Sequence, residues 1–193
     1  MIKEAQRHGP PQPESLEKKR EQTKPIDIIV ETPKGSHVKY KFDVQRHFFK
    51  LHKFLPVGSV FPYCFGFFPD TKAEDGDPLD VLMISDVVCF PGCVVPSRLI
   101  GVLEAEQTEE DGSTVRNDRI IAVAAVDTLF KHIQNLSELE KTFLDEITHF
   151  FVSYNEVGGV DFRPLGVKSS DVAYKLVEKS GKKHRPRQKK AAA

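Results

Sequence analysis

The chain has no tryptophan, only three cysteines and no apolar run long enough to cross a bilayer. An excess of either charge is missing too, because 28 lysines and arginines balance 28 aspartates and glutamates. No global field draws it to nucleic acid or to a membrane, and neither is expected as a partner. Cys64, Cys89 and Cys93 are odd in number and not spaced as zinc ligands, so they read as reduced structural thiols of a cytoplasmic protein. The first 25 residues lack the apolar core of a signal peptide, which points the same way.

What the chain does have is 14 phenylalanines and 39% hydrophobic residues in a length of 193, enough for one substantial core. Residues 1–24, with Gly9-Pro10-Pro11 and Pro13, read as a flexible or partly helical arm. Residues 25–181 read as the folded domain. Strands are expected at 26–31, 38–42, 80–84, 94–104 and 120–126, separated by the turn signals PKGS, EDGDP, FPGC and EEDGS. The last two strands form a long hairpin with Asp111-Gly112 at its tip.

Beyond residue 136 the period changes from two to 3.6. Leu139, Phe143, Ile147, Phe150 and Tyr154 fall on one helical stripe, with Ser137 and Glu140 as a capping box and Gly158-Gly159 as the stop. A second helix is expected over 171–180, with Ser170 as N-cap and Gly181 just past its end. Strands first and helices last give an α+β fold, a curled or barrel-like sheet flanked by helices. Residues 182–193 carry KKHRPRQKK, which reads as a solvated, disordered basic tail. Without interleaved aromatics it lacks the stacking platform of a nucleic-acid binder.

The chemistry concentrates in AEDGDPLDVL. Asp-Gly and Asp-Pro are ordinary turn dipeptides, but Asp75, Asp77 and Asp80 place three carboxylates in six residues. Asp75 and Asp77 point the same way in an extended chain, Pro78 fixes the backbone, and Asp80 opens an apolar strand. Converging carboxylates repel one another unless a hard cation sits among them. A calcium EF-hand loop is excluded, because counting from Asp75 puts Leu79 at its fifth position and Asp80 at its glycine position. Magnesium, which keeps waters or phosphates among its ligands, suits the pattern, and beside Lys39, Lys53 and Arg119 it points to phosphoryl chemistry.

DGDPLDVL resembles the signature of the family I soluble inorganic pyrophosphatases. The resemblance extends through IVETP, VKYKFD, VFPYCFGFFPDT, FPGCVV, RLIGVLEAE and ITHFFVSYNEV, covering residues 26–165 in order. It implies a five-stranded OB-like barrel with flanking helices, mostly C-terminal, in a homo-oligomer. It also implies hydrolysis of pyrophosphate to two phosphates with several Mg²⁺ ions. Carried over by position, Asp75, Asp77 and Asp80 bind metal, and Asp77 helps deprotonate the attacking water. Glu31 supports the metal cluster, while Lys39, Lys53, Arg119 and Tyr154 bind phosphate.

This sequence departs from the family pattern in several places. Lys41 stands where the family has a glutamate, and Lys53 replaces an arginine. Phe61 and Phe65 replace tyrosines, and Asn155 replaces a lysine. In the longer hairpin, Asn117 falls on a family aspartate, with Asp118 alongside as a further metal ligand. An earlier family aspartate falls on Glu106, Gln107 or Asp111. Arg163 or Lys168 is available to restore phosphate contacts. His47 and His52 read as surface or interface residues. Two other functions remain in play: a non-catalytic metal- and phosphate-binding module or a phosphohydrolase of shifted substrate on the same fold, and a nucleic-acid binder acting through the tail.

Overall fold

The computed structural model describes residues 24–108 and 111–184, without the side chains of 182–184. The N-terminal arm up to residue 23, Glu109 and Glu110 in the EEDGS turn, and the tail beyond 184 lie outside the described residues.

Among the described residues, nine strands and two α-helices follow one another. The strands are β1 (Ile26–Thr32), β2 (Val38–Asp43), β3 (Phe48–Phe54), β4 (Cys64–Phe67), β5 (Asp80–Ile84), β6 (Val94–Thr108), β7 (Thr114–Arg116) and β8 (Arg119–Ala124). Then come α1 (Lys141–Glu156), β9 (Asp161–Ser169) and α2 (Ser170–His184). All five expected strands form, within a few residues. β3, β4, β7 and β9 are additional.

Seven strands make one mixed sheet, and β2–β3 make a separate hairpin. β1 pairs with β4, β4 with β5, β5 with β8, β8 with β6, and β6 with β1. The pairings of these five strands therefore return to the first. All are antiparallel except β5–β8, so Asp80 and Arg119, the first residues of two parallel neighbours, start side by side. The far end of the 15-residue β6 runs past the others and carries β7 and β9 on its two edges.

Side chains of β5 and β8 alternate between two apolar clusters, as strand geometry requires. Leu82, Ile84, Ile121 and Val123 join Phe61, Phe65, Ile147, Phe151 and Phe162 on the α1 side. Val81, Met83, Ile120 and Ala122 join Ile28, Val30, Leu99 and Ala173 on the α2 side. Because both faces are covered, these strands read as unbroken apolar runs rather than alternating ones.

The helix ends depart from the sequence reading. Ser137 lies in a one-turn 3₁₀ helix, Leu136–Glu138, and Leu139 and Glu140 are then extended, so α1 starts at Lys141 without a side-chain cap. Leu136 is buried, and packing it turns the chain before the helix can begin. α2 starts one residue early, with Ser170 inside it and donating to Asn135 Oδ1 at 2.7 Å. Gly181 does not stop α2, which continues to His184, so residues 182–184 are helical rather than part of a disordered tail. Among the described residues no helix is long and apolar enough to cross a membrane.

Candidate active site

A cavity of about 410 Å³ opens where β5 and β8 begin. Most of its walls come from the 73–79 turn, the β2–β3 hairpin, the outer end of β6 with the turn after β7, and the end of α1, with Glu31 of β1 and Phe67 of β4 completing them. The turn is built as its dipeptides predict, with Asp77 N–H donating to Asp75 Oδ1 at 3.0 Å, Ala73 N–H to the Asp77 carbonyl at 2.7 Å, and Gly76 at φ 93°. In the hairpin Lys39 and Lys53 are direct cross-strand partners. Like charges facing each other weaken a strand pair, so this placement serves something other than stability. Both ammonium groups lie near the Tyr154 ring, Lys39 at 5.7 Å and Lys53 at 4.2 Å from its centroid.

The cavity-lining acids are Glu31, Asp75, Asp77 and Asp80, and the lining cations are Lys39, Lys41, Lys53 and Arg119. Asp77 Oδ2 pairs with Lys41 Nζ at 2.7 Å, and Asp80 Oδ2 with Arg119 NH1 at 2.5 Å. Arg119 also donates to Asn117 Oδ1, whose amide nitrogen donates to Gln107 Oε1 at 2.8 Å. Its guanidinium is walled by the Phe65, Phe151 and Phe162 rings at 5.5–5.8 Å.

Burial dominates the protonation of the site. It pulls the Lys39 ammonium down and pushes the Asp75 carboxyl and the Tyr154 hydroxyl up. Burial and then the surrounding lysines also lower His52. Lys41 is raised: burial pulls its ammonium down, but the hydrogen bond to Asp77 and the charges of Asp77, Glu31 and Asp80 together outweigh that. The Tyr154 hydroxyl is buried with no hydrogen-bond partner, an arrangement that costs free energy unless a bound group accepts from it.

Glu31 is 7% exposed, and burial raises its pKa to about 7 although Phe42 N–H donates to it at 2.7 Å. The folded pKa lies above the unfolded one. Stability is therefore full below about 4.5 and declines as pH rises through about 7, by on the order of 3 kcal/mol. Thermal unfolding of metal-free protein between pH 4.5 and 7.5 is expected to show this decline. Glu31→Gln is expected to flatten it.

Each residue singled out in the sequence can now be placed. Glu31, Lys39, Lys53, Asp75, Asp77, Asp80, Asn117, Arg119 and Tyr154 line the one cavity. Asp118 does not: its Oδ1 accepts from Ala105 N–H at 3.0 Å and Arg116 Nε at 2.7 Å, which ties the hairpin base together. Of the other hairpin candidates Gln107 lines the cavity, Glu106 pairs with Arg163, and Asp111 holds its own turn through Ser113. Lys168 pairs with Glu104, so neither it nor Arg163 faces the cavity. Phe61 and Phe65 are core residues, 1% and 2% exposed. Asn155 lines the cavity, but its amide donates back to the Phe151 carbonyl at 2.7 Å.

Two titratable lining residues were not named as site residues from the sequence: Lys41, noted only as a departure from the family pattern, and His52, read as a surface or interface residue. The signal for Lys41 was its spacing, since Lys39 and Lys41 point to one face of β2.

The aspartates share a cavity but are not gathered into a ready cage. Among the described residues no three acidic, histidine or cysteine side chains stand close enough to hold a metal ion. Asp77 and Asp80 are each turned to a cation instead. The donor set nonetheless fits a hard divalent cation: three carboxylates and the Gln107 amide are oxygen donors around one open cavity, with no thiol among them.

The model of the inorganic pyrophosphatase family matches residues 28–185. Inorganic pyrophosphatases of Synechocystis and Nostoc are 38% and 39% identical over 160 residues, each alignment covering 83% of this chain and 92% of the relative. The structure of the Helicobacter pylori inorganic pyrophosphatase superposes with a TM-score of 0.77 at 28% identity, covering 86% of this chain and 95% of that one. A cavity that sets carboxylates against lysine and arginine side chains suits phosphoryl chemistry. The chain belongs to the inorganic pyrophosphatase family.

Proposed function

We propose that the chain hydrolyses inorganic pyrophosphate to two phosphates in this cavity. The observation that carries the reading is the meeting of Asp75, Asp77 and Asp80 with Lys39, Lys53, Arg119 and an unpartnered Tyr154 hydroxyl. Asp75, Asp77 and Asp80 would hold Mg²⁺, several ions when substrate is present, with Glu31 and Asn117 supporting. Bound metal supplies acidity to water and draws charge from the phosphoryl oxygens. Asp77, half-exposed at the cavity mouth, accepts the proton of the attacking water. Lys39 and Lys53 grip the phosphates from the hairpin, Arg119 from beneath, and the Tyr154 hydroxyl donates a hydrogen bond. No covalent intermediate is invoked.

Residues 25–181 form the catalytic domain in this reading. The ring of five strand pairings supports an OB-like barrel as its centre. The protein is cytoplasmic and a homo-oligomer, with neither nucleic acid nor membrane as a partner.

A second reading, a non-catalytic metal- and phosphate-binding module, draws on Lys41, Gln107 and Asn117 at the cavity wall. Phosphate release from pyrophosphate and from a nucleoside triphosphate, measured side by side, separates the two. Turnover of pyrophosphate with the triphosphate spared supports hydrolysis. Binding of both without turnover supports the module.

A further inference from the structure

Four carboxyl side chains and four lysine and arginine side chains line the cavity, so every acid there has a cationic side chain to match it in number. Two of these matches are direct pairs. Lys41 Nζ stands 2.7 Å from Asp77 Oδ2, and Arg119 stands 2.5 Å from Asp80 Oδ2. The two pairs differ in mobility. The Arg119 side chain is 5% exposed, boxed by rings and bonded also to Asn117, whereas the Lys41 side chain is 38% exposed at the end of a flexible stem. Beside the Arg119–Asp80 pair, amides occupy positions where further carboxylates could stand, with Asn117 donating to Gln107.

We propose that the Lys41 ammonium is a built-in competitor of the divalent cation at Asp77: metal binds that carboxylate only when Lys41 swings away. The inference rests on the pyrophosphatase reading, in which Asp77 is a metal ligand. An ammonium at hydrogen-bond distance and a divalent ion cannot share one carboxylate without strong mutual repulsion. The Lys41 side chain is 38% exposed and Asp77 is 51% exposed, so the ammonium can leave the carboxylate without entering the core. Swung off Asp77, the ammonium remains at the cavity wall, where a phosphate oxygen is its natural partner. Substrate would then hold Lys41 away from Asp77, and by linkage metal and substrate would favour each other's binding.

The test is a Mn²⁺ titration of full-length, substrate-free protein, followed by calorimetry or by the electron paramagnetic resonance signal of free Mn²⁺. Lys41→Gln is expected to bind Mn²⁺ at least about fivefold more tightly than the parent. Lys41→Arg, which keeps the positive charge, is expected to stay as weak as the parent. Thermal unfolding and far-ultraviolet circular dichroism of the variants check that the fold is kept, so a purely structural role for Lys41 cannot mimic the result. Equal affinities of parent and Lys41→Gln, or no Mn²⁺ binding by either, overturn the proposal. Absence of pyrophosphate turnover in the parent would instead count against the proposed function. The titration still decides the competition in that case, because it contains no substrate.

Discussion

Asp77→Asn is expected to lower phosphate release from pyrophosphate by about 10²–10⁴-fold, the usual contribution of a positioned general base. The substitution keeps the shape of the side chain and removes the charge and the proton-accepting oxygen. It does so at a position that contributes little to the fold. The Asp77 side chain is 51% exposed, and its partner Lys41 is 38% exposed. Exposed pairs of this kind contribute between nothing and about 1 kcal/mol. The turn itself is held by the backbone groups of Asp77, which donate to Asp75 and accept from Ala73, and both survive the change. The melting temperature is accordingly expected to shift by no more than a few degrees. Steady-state phosphate release and a thermal melt on the same preparation check the two halves together. A variant retaining near-parent turnover would remove Asp77 from the chemistry.

Arg119→Met is expected to lose turnover as well, but with a large loss of stability. Arg119 is 4% exposed and joins the starts of two parallel strands by pairing across to Asp80. Methionine fills part of the space among Phe65, Phe151 and Phe162, so the apolar packing is largely kept. What is lost is the counter-charge of Asp80, whose side chain is 24% exposed, together with the donor to Asn117. Removing one member of a buried pair costs about 3–5 kcal/mol, and partial access of water to Asp80 favours the lower end. Arg119→Lys keeps the charge, but its ammonium on a shorter side chain has to stand in for the NH1 group that meets both Asp80 and Asn117, so a smaller loss is expected. Urea unfolding at neutral pH measures both. Stability equal to the parent in Arg119→Met would show that the pair does not tie the two strands together.

The two profiles explain which parts of the molecule were legible in the sequence. The longer buried strands were readable because their apolar residues leave little choice of structure, as in Asp80–Ile84, whereas the four-residue β4, also buried throughout, was too short to read. β3 was not: FFKLHKF alternates poorly, and Phe48, Leu51 and Phe54 remain exposed. β9 was hidden because Pro164 and Gly166 break the propensity signal, while the long outer edge of β6 supplies the pairing anyway. The capping box failed because burial of Leu136 outweighs a cap worth about 1 kcal/mol.

In the site, local spacing was enough to single out the aspartates, while Lys39 took its role from the family resemblance. Partners set by register were not accessible. Asn117 and Asp118 are adjacent in sequence, and only the pairing around Ala105 sends one toward the cavity and the other away. A shift of one residue would exchange them. The Lys41–Asp77 contact spans 36 residues and depends on the hairpin folding over the turn, which no local pattern encodes.

The most direct measurement for the whole account is phosphate release from pyrophosphate by the full-length protein, with Mg²⁺ and after chelation. The account predicts sustained turnover with Mg²⁺, its loss on chelation and its return when Mg²⁺ is added back. Folded protein that releases no phosphate with Mg²⁺ present, or whose release is unchanged by chelation, would contradict it.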